Sequence, residues 1–135
     1  MGNIVASLSD VVVFTSDNPR SEDPDQIINQ MIEGVDKKDL SKVNNIVDRK
    51  SAIEFACKIN GQNDVILVAG KGHEKFQVFG DNRIEFDDKK ILKKKIKKNT
   101  AAIMIETIMG EGGIKVIPDW CLIELKKICN KKNIL

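Results

Sequence analysis

Two stretches of the chain gather side chains that could do chemistry together. The first is Thr15-Ser16-Asp17-Asn18-Pro19-Arg20 and the second is Gly70-Lys71-Gly72-His73-Glu74. Between them they offer a guanidinium, an amide, two carboxylates and glycine-flexible backbone. This set suits a zwitterion. Arg20 can grip a carboxylate with two parallel hydrogen bonds, while Glu74 or Asp17 accepts from an ammonium group. Asp-Asn-Pro is also common turn chemistry, so the first stretch has a purely structural reading as well. Gly70-Lys71-Gly72 has the composition of a phosphate nest but not the spacing of a P-loop. His73 is the only histidine, and without companions at ligand spacing it defines no metal site.

The elements that must position these loops are legible on either side. Val11-Val12-Val13-Phe14 is a short β-branched run that reads as a strand buried on both faces. Asp23 then caps a helix with Pro24 at its first position, and Ile27, Ile28, Met31, Ile32 and Val35 follow at helical spacing until Gly34 weakens the end. A second unit repeats the pattern, with a strand near Val43 to Val47, Asp48 as a cap, and a helix bearing Ala52, Ile53, Ala56, Cys57 and Ile59 that Asn60-Gly61 stops. Val65-Ile66-Leu67-Val68-Ala69 reads as a central strand leading into the second loop. Phe76 to Phe79 and Arg83 to Phe86 flank Gly80-Asp81-Asn82 and predict a hairpin. Asp87 or Asp88 caps a lysine-rich helix with a narrow stripe of Ile91, Leu92 and Ile96. The order strand, helix, strand, helix, strand, hairpin, helix predicts an α/β fold, Rossmann-like, with a mostly parallel sheet. In such sheets ligands bind beyond the carboxyl ends of the strands, where both loops fall.

At 135 residues, 41% apolar, the chain has material for one small core. The formal charge of +2 hides an uneven distribution. Residues 1–88 carry 10 basic and 16 acidic side chains, and residues 89–98 alone carry seven lysines. One basic block on one helix reads as a solvated face, so no nucleic-acid partner is expected. No apolar run approaches the roughly 18 residues that span a bilayer, and no secretory signal opens the chain, which predicts a cytoplasmic protein without membrane contact. Cys57, Cys121 and Cys129 form no C-x-x-C pair and read as ordinary thiols.

The motifs also carry a resemblance. Ser16-Asp17-Asn18-Pro19-Arg20-Ser21-Glu22-Asp23-Pro24, Asp48-Arg49 before a helix, Val68-Ala69-Gly70-Lys71-Gly72-His73-Glu74 and Phe86-Asp87-Asp88 resemble the C-terminal domain of a Mur ligase of the meso-diaminopimelate-adding type, over about residues 1–98. The resemblance implies ATP-dependent addition of meso-diaminopimelate to UDP-N-acetylmuramoyl-L-alanyl-D-glutamate, a step of peptidoglycan precursor synthesis. It implies that Asn18 and Arg20 hold the distal carboxylate of the amino acid, and that the Gly70 carbonyl and Glu74 bind its distal ammonium. Asp17, Asn18, Arg20, Gly70 and Glu74 are therefore the expected substrate-binding residues, with no catalytic residue and no metal ligand among them. Met1-Gly2-Asn3-Ile4 resembles an internal point of the family's third domain, so an N-terminally truncated domain is expected. The family's UDP-sugar and ATPase domains have no counterpart, and with them go the sites for ATP and magnesium. The chain alone is expected to bind no cofactor and to be inactive as a ligase. The alternatives are a non-catalytic diamino-acid-binding module, or a partner to a polypeptide that supplies the missing domains. Removal of strands from a parallel sheet would leave Val11 to Phe14 as an exposed edge, which predicts poor solubility or an oligomer.

The texture changes from Asn99. Thr100-Ala101-Ala102-Ile103-Met104-Ile105-Glu106-Thr107-Ile108-Met109-Gly110-Glu111-Gly112-Gly113, continuing through Asp119-Trp120 to Asn133-Ile134-Leu135, resembles an interior piece of a class III pyridoxal-phosphate-dependent aminotransferase of the acetylornithine type. Thr107 stands where that pattern usually has proline. A strand over 101–105, a glycine loop, and a helix opened by Pro118-Asp119 with Trp120, Ile123, Leu125 and Ile128 on its apolar side are expected for residues 99–135. The match stops short of the cofactor-binding aspartate and lysine. A fusion or decay product of two genes accounts for such an arrangement.

Overall fold

The computed structural model describes residues 1–61, 64–71, 74–95, 108–109, 115–116 and 119–132. It is a mixed α/β structure built on a parallel pair of strands. Strand β1 (Val12–Phe14) and strand β2 (Val43–Asn45) pair in parallel with Val12 opposite Val43 and Phe14 opposite Asn45. The crossover between them is helix α2 (Pro24–Glu33) followed by a 3-10 segment (Lys37–Lys42). Parallel strands require such a crossover, because a tight turn cannot reverse the chain twice. Asp23 caps α2 as its sequence predicts, accepting from Asp25 N at 2.8 Å, and Pro24 takes the first helical position where its missing N–H costs nothing.

A helix that the sequence does not announce precedes the sheet. Helix α1 (Gly2–Leu8) has no side-chain cap, and its place is set by packing. Gly2 lies so close to the Met31 carbonyl of α2 that a Cβ there would collide with it. Ala6 of α1 joins Val12, Phe14, Ile28 and Val35 in one buried core, with Met31, Ile32, Val43 and Val47 packed around it. Among the described residues β1 pairs with β2 alone and so keeps one unpaired edge, as expected, while the side chains of Val12 and Phe14 lie in that core. Val11 remains half exposed, and apolar exposure falls mainly on Ile4, Leu8, Val65 and Leu67.

Helix α3 (Arg49–Ile59) starts where Asp48 accepts from Ser51 N at 2.8 Å, and it buries Ala52 and Ile53. Residues 64–69 then run without strand pairing, and Val65 and Leu67 are 80% and 76% exposed. This corrects the expectation of a central strand. An apolar β-branched run specifies extended backbone, but it becomes a strand only when a neighbour takes up its N–H and C=O groups, and neither strand of the described parallel pair does so. The expected hairpin is present as β3 (Phe76–Phe79) and β4 (Asn82–Glu85), with Phe79 opposite Asn82 and Gly80 at a φ of 56° in the turn.

Helix α4 (Asp88–Lys95) resolves the choice between two caps. Asp87 accepts from Lys89 N and Lys90 N at 2.9 and 3.3 Å, while Asp88 turns inward. Its last turn carries Lys93, Lys94 and Lys95, a favourable placement at the negative end of the helix dipole. Two short strands, β5 (Ile108–Met109) and β6 (Lys115–Val116), pair antiparallel before helix α5 (Asp119–Lys132). On α5 the expected apolar side is only partly covered. Trp120 and Ile123 are more than half exposed, Leu125 and Ile128 are half-buried, and Cys129 is buried. Ile96, the strand expected over 101–105, the loop at 110–113, Pro118 and residues 134–135 lie outside the described residues. No helix among the described residues is long and apolar enough to cross a membrane.

Candidate functional site

The first loop leaves the carboxyl end of β1 and is fastened at once to the chain following β2. Ser16 N donates to the Val47 carbonyl at 3.2 Å and the Thr15 hydroxyl donates to the same oxygen at 3.2 Å. The Ser16 hydroxyl is buried with no hydrogen-bond partner among the described residues. Beyond it the loop runs against β3. Arg20 N donates to the Val78 carbonyl at 3.1 Å, and Gly80 N donates back to the Arg20 carbonyl. Arg20 has a φ of 55°, a left-handed value that a non-glycine residue adopts only under constraint, and this backbone bridge to the hairpin is the constraint. Its side chain is exposed.

Asn18 is held at both ends of its amide. Its Oδ1 accepts from Val78 N at 3.1 Å and from Lys71 Nζ at 2.9 Å, and its Nδ2 donates to Glu74 Oε2 at 2.6 Å. Two of the predicted residues from distant parts of the chain, Asn18 and Glu74, are therefore in direct contact. Asp17 and Gly70 meet at the same place. A Cβ on Gly70 would sit 3.0 Å from Asp17 Oδ2, and Gly70 has a φ of 105°, so both the space and the backbone call for glycine. Asp17, Asn18, Gly70 and Glu74 thus form one cluster. Arg20 stands two residues from Asn18 on the same loop, and no ion pair of its guanidinium occurs among the described residues. Gly72 and His73 lie outside the described residues.

Two residues that the chemistry of the sequence does not single out hold this cluster. Lys71 is 1% exposed, and its ammonium sits among Asp17 Oδ1 at 3.2 Å, Asn18 Oδ1 at 2.9 Å and Glu74 Oε2 at 3.2 Å. An ammonium has three N–H donors, and here each has an acceptor. Arg49, at the start of α3, is 3% exposed and forms a two-pronged pair with Asp88 of α4, Nε to Oδ1 at 2.9 Å and Nη2 to Oδ2 at 2.7 Å. The same Nη2 donates to the Ala69 carbonyl at 2.8 Å, one residue before Gly70. Arg49 and Asp88 belong to the Asp-Arg and Phe-Asp-Asp motifs, so their spacing was visible, but their pairing across 39 residues was not. Glu74 and Asp17 contribute two negative charges to the cluster and Lys71 one positive charge, which leaves one net negative charge among side chains that reach solvent. A net negative, solvent-reaching cluster of this kind has the chemistry to accept an ammonium group.

Comparison with known proteins follows the same lines. The family described as Mur ligase, glutamate ligase domain, matches residues 1–72. The family described as aminotransferase class-III matches residues 55–135. The UDP-N-acetylmuramoyl-L-alanyl-D-glutamate--2,6-diaminopimelate ligase of Bacteroides thetaiotaomicron is 50% identical over 93 residues, which is 69% of this chain and 19% of that ligase. The ligase of the same name from Phocaeicola vulgatus is 53% identical over 85 residues, 63% of this chain and 18% of that protein. A solved structure of a 2,6-diaminopimelate ligase of this kind superposes with a TM-score of 0.59 at 39% identity, covering 65% of this chain and 18% of its own. The chain therefore spans less than a fifth of the length of the relatives it matches. It belongs to the Mur ligase family through the glutamate ligase domain, and its C-terminal part belongs to the class-III aminotransferases.

Proposed function

We propose that residues 1–98 are the amino-acid-recognising part of a 2,6-diaminopimelate ligase, and that this part binds the distal, zwitterionic end of meso-diaminopimelate. Arg20 and Asn18 receive the carboxylate, and the Gly70 carbonyl and Glu74 receive the ammonium, with Asp17 at the side of Gly70. The observation that carries this reading is the direct contact of Asn18 with Glu74, 2.6 Å apart and 56 residues apart in the chain, beside a glycine that only a close neighbour explains. The names of the relatives support the choice of ligand. In the full reaction the ligand's other amine attacks an activated carboxylate, and these loops can contribute by gripping the distal end so that this amine is held in place. Among the described residues no group of three His, Cys, Asp or Glu side chains could hold a metal ion. We assign the chain to the cytoplasm, with meso-diaminopimelate as its small-molecule partner and, for ligation, the remaining ligase domains as its protein partner.

Isothermal titration of meso-diaminopimelate into the chain tests this reading. A charge-assisted hydrogen-bonded pair is worth about 1.5–3 kcal/mol, so Arg20→Ala should weaken binding by roughly 10- to 100-fold. L-Lysine, which has no second carboxylate, should bind the wild type and Arg20→Ala alike. Absent heats for the wild type, or equal affinity of both proteins for meso-diaminopimelate, would sink the proposal. A second reading, a fusion of a ligase segment with an aminotransferase segment, draws on the presence of both family matches in one chain, which overlap over residues 55–72. DNA sequence on both sides of the reading frame distinguishes it from two functional halves.

A further inference from the structure

Lys71 is the largest fully buried side chain in the described structure along with Ile28, and a lysine in that position demands an explanation. Lysine is rarely enclosed, because removal of its charge from water costs several kcal/mol unless partners replace the water. Here the replacement is complete. Asp17 Oδ1, Asn18 Oδ1 and Glu74 Oε2 take its three donors, and the last two belong to residues assigned above to the two charged groups of the ligand's distal end. Asp17 and Asn18 come from the first loop and Glu74 from the second, so one ammonium joins both. Asp17 and Glu74 are themselves 44% and 43% exposed at the side chain, while the lysine between them is at 0%. The cation is thus sealed beneath a surface whose acceptors still reach solvent.

We propose that Lys71 is a positioning residue of this amino-acid site, a built-in counter-ion that fixes Asn18 and Glu74 in one surface and sets the cluster at one net negative charge. The inference rests on the proposed binding of a diamino acid and adds a residue and a role to it. Without Lys71, Asp17 and Glu74 repel each other. Glu74 then loses the contact that ties it to Asp17 and Asn18 through one cation, and the half of the site that meets the ligand's distal ammonium loses its shape. With Lys71 present, that half accepts one ammonium and does not gather the excess negative charge that would attract small cations without regard to shape.

Two measurements on the full chain test the role. The first compares Lys71→Met with wild type for two ligands, meso-diaminopimelate and L-2-aminopimelate, which keeps both carboxylates but lacks the distal ammonium. Lys71→Met should lose tenfold or more in affinity for meso-diaminopimelate and a clearly smaller factor, about threefold, for L-2-aminopimelate, which shares the loosening of Asn18 and Arg20 but not the loss at Glu74. Equal losses for both ligands, or no loss, would overturn the proposal while leaving the diamino-acid site intact. The second measurement needs no ligand. Amide hydrogen exchange at Val78 and Arg20, which reports the loop's attachment to β3, should speed up tenfold or more in Lys71→Met while exchange in α2 stays unchanged. Unchanged exchange at Val78 and Arg20 refutes the positioning role even if the wild type binds no amino acid. Failure of the wild type to bind meso-diaminopimelate counts against the proposed function alone.

Discussion

The pair formed by Arg49 and Asp88 gives the sharpest stability prediction. Both side chains are almost fully enclosed, at 3% and 7% exposure, and they share two short hydrogen bonds. Asp88→Asn keeps the shape of the side chain and removes its charge, so the guanidinium stays buried with only the Ala69 carbonyl and a neutral amide to face. Breaking a buried pair by removing one partner costs about 3–5 kcal/mol, and the surviving bond to Ala69 places this case near about 3 kcal/mol. In urea, with a slope of about 2 kcal/mol per molar, that loss moves the unfolding midpoint down by about 1.5 M. Against a total stability of about 5–15 kcal/mol the effect is large and is read easily by far-UV circular dichroism. Replacement of both partners, Arg49→Met with Asp88→Leu, should return to within about 1–2 kcal/mol of wild type, since no uncompensated charge is left. A loss below about 1 kcal/mol for Asp88→Asn, or a double variant no better than the single ones, would refute the reasoning.

Two other expectations follow from local geometry. Gly70→Ala places a methyl group against Asp17 Oδ2 at a φ of 105°, and it should cost about 1–3 kcal/mol in a urea titration, whereas Gly80→Ala, with open space around it, should cost less. The two hydrogen bonds from Ser51, side chain and backbone, with help from Lys50, hold the Asp48 carboxyl below its ordinary range. The folded state therefore favours the ionised form, so this contribution to stability is present above about pH 4 and is lost as the pH falls through the lowered value. Urea midpoints measured from pH 5 down to pH 2 should decline less steeply in Asp48→Asn than in wild type.

The parts of this fold that the chain states locally are the parts legible in its sequence. Asp23-Pro24, Asp48 and Asp87 announce helix starts because a cap needs only neighbours two or three residues away, and Gly80-Asp81 announces a hairpin for the same reason. Helix α1 lacks such a signal. Its entry depends on Gly2 fitting against a carbonyl of α2, a contact made across 29 residues of chain. The run at 65–69 shows the reverse failure, a strong local signal without a ladder to join. The site divides in the same way. Asp17, Asn18 and Glu74 were legible by chemical type, but nothing near Lys71 in sequence shows that its ammonium is enclosed by groups 53 and 54 residues away.

The bridge between Arg20 and the hairpin makes β3 and β4 more than a scaffold. Arg20 owes its left-handed backbone to Val78 and Gly80, so the direction in which the guanidinium leaves the chain is dictated by the register of the β-turn that follows. The exposed guanidinium can then be re-aimed by changes made outside the loop that carries it. Lengthening or shortening the two-residue connection at Gly80-Asp81 should therefore turn the arginine as a rudder is turned from its tiller.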